Sequence, residues 1–133
     1  MNFEITAQKI IEKTLKSGAT ECDVVLAKAS GKSISCRKQK IEDLEESNDS
    51  TIGIRALVDQ KQAFVSSSEV DDDNIETLVN KCVSMAKLAP IDDTAVLGDS
   101  SLFESEICNL ELHQSEETST EALIDSVKEC EEA

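Results

Sequence analysis

The stretch from Thr51 to Val58 constrains this fold more than any other. Ile52, Ile54, Ala56 and Val58 alternate with Gly53, Arg55 and Leu57. A period of two places the first set on one face and the second on the other, which marks a half-buried strand. Gln62 to Ser67 returns with Ala63 and Val65 on one face and Phe64 on the other. Asp59-Gln60-Lys61 between them is short and polar, a hairpin turn without the usual Asn-Gly or Asp-Gly pair. Upstream, Glu45 and Ser47-Asn48-Asp49-Ser50 form a turn, and Lys40 to Glu46 is a further strand. Ile41 and Leu44 are three apart there, so a strand holds both on one face only with a bulge.

Helical periodicity brackets this sheet. Ala7, Ile10, Ile11, Thr14 and Leu15 form one stripe of a helix over residues 4–17, with Gly18 as its C-terminal cap and Lys16 at the negative end of its dipole. Glu21 to Ala29 reads as a strand, Ser30-Gly31-Lys32 as a turn, and Ser33 to Arg37 as a strand with Ile34 and Cys36 inward. A second helix spans Asp72 to Leu88, with Ile75, Leu78, Val79, Cys82, Ala86 and Ala89 on its stripe, and Pro90 ends it. The expected class is therefore α+β: an antiparallel sheet of about five strands flanked by helices, in the order α-β-β-β-β-β-α. Residues 1–90 form the N-terminal domain. Residues 91–117 are an acidic linker with weak strand character at Leu110-Glu111-Leu112, and 118–133 are a further helix. Thr118 is that helix's expected cap, with Glu121 completing a capping box. It ends Glu129-Cys130-Glu131-Glu132, acidic side chains against the negative end of the dipole. That sign is unfavourable and reads as a chain cut inside a helix.

Charge narrows the function classes. The formal net charge is −15. Residues 1–67 hold ten acidic and ten basic side chains, and residues 68–133 hold eighteen acidic and three basic. Such a second half repels a phosphate backbone, which argues against direct nucleic-acid binding. It suits either a solvated surface or an acidic segment that binds a basic partner. No signal peptide opens the chain, and no run approaches the roughly 20 apolar residues of a membrane span. The expectation is a soluble, cytoplasmic protein without a membrane partner.

Motifs for chemistry are sparse. Cys22, Cys36, Cys82, Cys108 and Cys130 include no CxxC pair, and the first three read as buried small apolar residues of a reducing compartment. His113 is the single histidine and reads as a surface side chain. Ser66-Ser67-Ser68 has no histidine near it in sequence to act as base. Asp71, Asp72 and Asp73 suit a helix N-terminus better than a cation, because three consecutive side chains diverge. No catalytic, cofactor-binding or metal-ligating residue is assigned. Gly53 and Arg55 share a strand face; Gly53 lets a backbone or side chain approach closely or allows a bulge, and Arg55 is either a solvent-facing side chain or a dock for a carboxylate of a partner or peptide.

The order of elements and several short runs resemble the TldD/PmbA family, in its PmbA (TldE) branch. The runs are Lys16-Ser17-Gly18-Ala19 with Glu21, Gln39-Lys40-Ile41-Glu42 with Glu46-Ser47, Ile52-Gly53-Ile54-Arg55 and Ala63-Phe64-Val65-Ser66-Ser67. Met85-Ala86-Lys87, Ile91-Asp92-Asp93, Leu110-Glu111-Leu112 and Thr118-Ser119-Thr120-Glu121-Ala122 continue the series. Asp92-Asp93-Thr94 departs from the Asp-Pro-Tyr common there. The resemblance implies the N-terminal domain of a noncatalytic PmbA/TldE-like subunit in a cytoplasmic, heterodimeric metalloprotease system. Zinc is then expected only in a TldD-like partner subunit, and the substrates are unfolded peptides. The family's name as a modulator of DNA gyrase comes with the resemblance, but the acidic charge gives DNA contact no support. Full-length members are several times longer, and none of their protease residues falls on this chain. The alternative is a stand-alone acidic protein-interaction module with no enzymatic activity.

Overall fold

The computed structural model describes residues 2–104, 106, 108–112 and 118–132. Their order is α1 (Phe3–Lys16), β1 (Glu21–Arg37), β2 (Lys40–Val58), β3 (Lys61–Ser67), α2 (Asp72–Leu88), a short 3-10 turn (Ser100–Leu102) and α3 (Thr120–Glu132). The chain divides into two compact units. One contains residues 1–28 and 49–102, the other 29–48 and 103–133. The α+β class and the antiparallel sheet hold, but the sheet has three strands in the order β1-β2-β3, not about five.

The difference has a physical cause. The expected turns at Ser30-Gly31-Lys32 and Ser47–Ser50 do not form, and the chain runs through both as extended strand. Gly31 lies beside Ser47 instead, so close that an added Cβ would stand 3.3 Å from the Ser47 hydroxyl. Among residues 29–48 only Ile34 and Cys36 reach half-burial. A ribbon with solvent on its faces accepts polar residues at every register, so turn-prone side chains there do not break it. The tight connection lies at Lys38-Gln39, where both φ angles are positive, 53° and 61°. Ile41 and Leu44 stay substantially exposed, at 37% and 49%, and no core requires them on one face.

The first unit is a sheet with α1 and α2 on one face. Its core joins Ile10 of α1, Ile52, Ile54, Ala56 and Val58 of β2, Val65 of β3, and Ile75, Leu78, Val79, Cys82, Val83 and Ala86 of α2. The alternation of Thr51–Val58 thus delivers its apolar face to the helices. Val24, Leu26 and Ala63 pack on the same cluster from β1 and β3. β2 and β3 pair antiparallel, with Ile54 opposite Val65 and Val58 opposite Lys61, so the connection is the two residues Asp59-Gln60. Both take positive φ, as a primed hairpin turn requires.

Helix ends follow local chemistry. The Asn2 side chain accepts from the Ile5 N–H at the start of α1. At its far end the Gly18 N–H donates to Leu15 and the Ala19 N–H to Thr14. This is a Schellman closure, and Gly18 supplies its φ of +104°. The Asp71 side chain caps α2 by accepting the Asn74 N–H. Ala89 turns extended before Pro90, as the proline ring demands. Asp92 to Ala95 then close a turn tied to the sheet, the Asp92 N–H donating 2.7 Å to the Gln60 carbonyl.

In the second unit α3 has no fully buried residue; Leu123, Ile124 and Val127 are half-buried. Its cap is Ser119, not Thr118: the Ser119 hydroxyl accepts the Ala122 N–H at 3.1 Å. The helix therefore starts one residue later, and Glu121 is out of step for a capping box. Leu110–Leu112 forms no strand. Glu111 has φ 49°, and its N–H is held by the Asn109 side chain, a local turn that pre-empts extended pairing.

Candidate functional site: the outer face of the sheet

The sheet face opposite the helices gathers Asp23 and Val25 from β1, Gly53, Arg55 and Leu57 from β2, and Gln62 and Phe64 from β3. Pairing sets Arg55 opposite Phe64 and Gly53 opposite Ser66. The expected sharing of a face by Gly53 and Arg55 is therefore realised. The Phe64 ring crosses diagonally onto Gly53: a Cβ there would stand 3.0 Å from its Cζ and 4.0 Å from the Val25 Cβ. Glycine at this position makes room for an aromatic ring of the chain itself.

Arg55 does not offer an empty fork. Its Nε donates to Asp23 Oδ2 at 2.8 Å and its second guanidinium nitrogen donates to the same oxygen. The carboxylate that docks on this face is thus Asp23, one strand away. With side chains 34% and 42% exposed, the pair orders the two strands more than it stabilises them, by about 1 kcal/mol or less.

The two ends of the face differ. Toward the β2–β3 turn, Leu57 is buried, and Gln62 donates 3.0 Å to Asp92 of the following turn. Ala95 in that turn is also buried. At the other end Phe64 and Val25 stay 60% and 62% exposed. β3 is an edge strand of the sheet, so its outer backbone groups offer a template for strand addition.

The remaining candidates are structural. Ser67 accepts from the Glu69 N–H and from the Asn74 side chain, each at 3.0 Å, and fastens the β3–α2 connection. Asp71 caps α2, while Asp72 pairs with Lys9 of α1 at 2.6 Å and is held below the usual carboxylate range by that contact. Among the described residues no three His, Cys, Asp or Glu side chains converge to hold a metal ion. His113 lies outside the described residues.

The cysteines separate by environment. Cys22 and Cys82 are buried as expected, whereas Cys36 is half-exposed because its ribbon has no deep core. Burial raises the Cys22 thiol, helped by the neighbouring Asp23 charge. Burial also raises Cys82, partly offset by hydrogen bonds with the backbone. Thiols so placed are poor nucleophiles. Asp23, Phe64 and Asp92 had visible residue signals, an opposite charge and an outward ring, but the strand register that joins them is not readable from one sequence.

Three comparisons bear on this fold. Residues 22–86 match the family model described as PmbA/TldA metallopeptidase domain 1. The Metalloprotease PmbA homolog of Haemophilus influenzae is 29% identical over 123 residues, which span 92% of this chain and 27% of that protein. TldE from Thermococcus kodakarensis superposes with a TM-score of 0.68 at 18% identity, covering 96% of this chain and 29% of its own. A Bacteroides thetaiotaomicron protein named as a candidate modulator of DNA gyrase gives 0.72 at 20% identity, over 79% of this chain and 24% of its own. The chain thus spans about a quarter of the length of these relatives. Among the described residues no helix is long and apolar enough to cross a membrane. Sequence and fold together liken this chain to the N-terminal domain of the PmbA/TldD metallopeptidase family.

Proposed function

We propose that this chain acts as the N-terminal domain of a PmbA/TldE-type noncatalytic subunit in a cytoplasmic zinc metalloprotease, with the zinc in a TldD-like partner and unfolded peptides as substrate. The match of residues 22–86 to the family's first domain carries this reading. The likeness to TldE supports it at the level of the fold. In this role the chain performs no bond-breaking step. Its contribution is a surface: edge strand β3 and the exposed Phe64–Val25 end of the outer face, where an extended peptide or the partner's backbone can lie. The Asp23–Arg55 pair keeps β1 and β2 in register beneath that surface.

The test is co-expression of the protein in its native cells' full length with a TldD-type subunit. The expected result is a co-purifying pair, zinc in the complex, and cleavage of an unfolded peptide that neither subunit cleaves alone. Phe64→Asp is expected to weaken the pair or raise KM for the peptide. A chain that binds no such subunit, and whose addition changes no cleavage, sinks the proposal. The stand-alone acidic binding module would then be the better reading.

A further inference from the structure

We propose that the β1–β2 hairpin tip is a receptor for a carboxylate on an acidic peptide segment, and that Glu131 of α3 fills it in cis as a displaceable latch. The tip, Arg37-Lys38-Gln39-Lys40, concentrates three of the chain's thirteen basic residues. Lys38 and Gln39 both occupy the left-handed region, at φ 53° and 61°, without being glycine or asparagine. Two successive N–H groups in such a turn form a concave anion site.

That site is filled within the second unit. The Lys38 N–H donates to Glu131 Oε1, and the Gln39 N–H donates to Oε2 at 2.6 Å. The Cys36 thiol reaches Oε2 at 3.5 Å, and the Gln39 side chain donates to the Lys128 carbonyl at 3.2 Å. Both oxygens of one carboxylate are thus engaged by adjacent backbone donors, and Glu131 is held below the usual glutamate range by them. This accounts for the acidic end of α3. Its unfavourable sign against the helix dipole is offset by the basic tip it docks on. α3 has no fully buried residue, so the half-buried Leu123, Ile124 and Val127 share its anchoring with this contact. A contact built from backbone donors recognises any carboxylate of the same reach, so an acidic segment of a partner competes with Glu131 on equal chemical terms.

The experiment compares the isotope-labelled full chain with Glu131→Gln and Glu132→Gln. The second variant removes the same charge from α3. Glu131→Gln is expected to speed hydrogen exchange of the α3 amides by about threefold, the order an exposed charge contact delivers; Glu132→Gln leaves it unchanged. A synthetic peptide of residues 118–133 then shifts the Lys38 and Gln39 amide resonances of Glu131→Gln at lower concentration than in the parent chain. The same peptide carrying Glu131→Gln does not. Unchanged protection of the Ile54 and Val79 amides in the first unit shows that the fold is intact. Equal α3 exchange in both variants, or a peptide that binds as well without its carboxylate, overturns the proposal.

Discussion

Among the described residues Thr14 is the one buried polar side chain, at 0% exposure. Its hydroxyl donates 2.8 Å to the Ile10 carbonyl, one turn back. That carbonyl already accepts the Thr14 N–H in the regular ladder of α1. Thr14→Val therefore removes a donor without orphaning an acceptor. The lost bond costs about 0.5–1.5 kcal/mol. The methyl that replaces the hydroxyl returns about 0.8 kcal/mol, and valine's preferred helical rotamer occupies the same two γ positions. The net change lies within about 0.7 kcal/mol of zero. Thr14→Ala loses the bond and a methyl and leaves a cavity, which costs about 2–3 kcal/mol before alanine's better helix propensity returns roughly 0.6. Thr14→Ser keeps the bond and loses the methyl, for about 1 kcal/mol. Urea unfolding followed by far-ultraviolet circular dichroism measures the series, since the chain has no Trp or Tyr to report by fluorescence. The expected order is Val near parent, then Ser, then Ala. A valine variant as damaged as the alanine one would refute the reasoning, because the hydroxyl would then hold something besides its own helix.

Three further outcomes follow from local geometry. Gly18→Ala forces a side chain onto φ +104° and sets its Cβ 3.1 Å from the mobile Lys87 ammonium; it should cost about 1 kcal/mol or more, and a neutral result in the same urea assay would contradict the Schellman closure. In the native state iodoacetamide should modify exposed Cys108 and Cys130 first, half-exposed Cys36 later, and Cys22 and Cys82 only on unfolding; peptide mass mapping that finds Cys82 labelled early would disprove its burial. Asp72 is depressed below its ordinary value of 3.8 by Lys9, so its contribution is present above that pH and fades as pH falls through the lower folded value. The parent's advantage over Asp72→Asn should accordingly be full at neutral pH and shrink in acid, and a gap that stays constant to low pH would exclude the Lys9 contact as its source.

Elements that bury a face were legible in the sequence; elements that do not were not. Thr51–Val58 announced its register because every second side chain enters the core at close to zero exposure. The stripe of α2 was legible for the same reason, and Val83 was missed because it sits at the edge of that stripe. Residues 29–48 carry no such imprint. With solvent beside nearly every side chain, Ser-Gly-Lys and Ser-Asn-Asp-Ser resembled turns while forming strand. The face bearing Gly53 and Arg55 was read correctly, yet the carboxylate on Arg55 comes from Asp23 of the chain itself and not from a partner or peptide. Alternation fixes which side a residue faces, but only strand order identifies its neighbour. The acidic end of α3 is a similar case: the sign was visible in the sequence, and the contact that balances it lies more than 90 residues away.

The two hairpin turns allow this argument to be tested directly. Neither Lys38-Gln39 nor Asp59-Gln60 contains glycine, although all four residues have positive φ. The turns are therefore imposed by the strands they join, not chosen by local preference. At Asp59-Gln60 those strands bury Val58 and pair it with Lys61. If so, Gln60 stores strain of about 1–2 kcal/mol, and Gln60→Gly should release it. Glycine's greater freedom in the unfolded chain takes back about 0.5–1 kcal/mol, leaving a net gain of up to roughly 1.5 kcal/mol. The Gln60 carbonyl that receives the Asp92 N–H is backbone and survives the change. A rise in the urea midpoint with an unchanged slope would mean that packing dictates the turn. A fall by more than about 1 kcal/mol would mean that the Gln60 side chain holds it, since glycine's freedom in the unfolded chain accounts for no more than that.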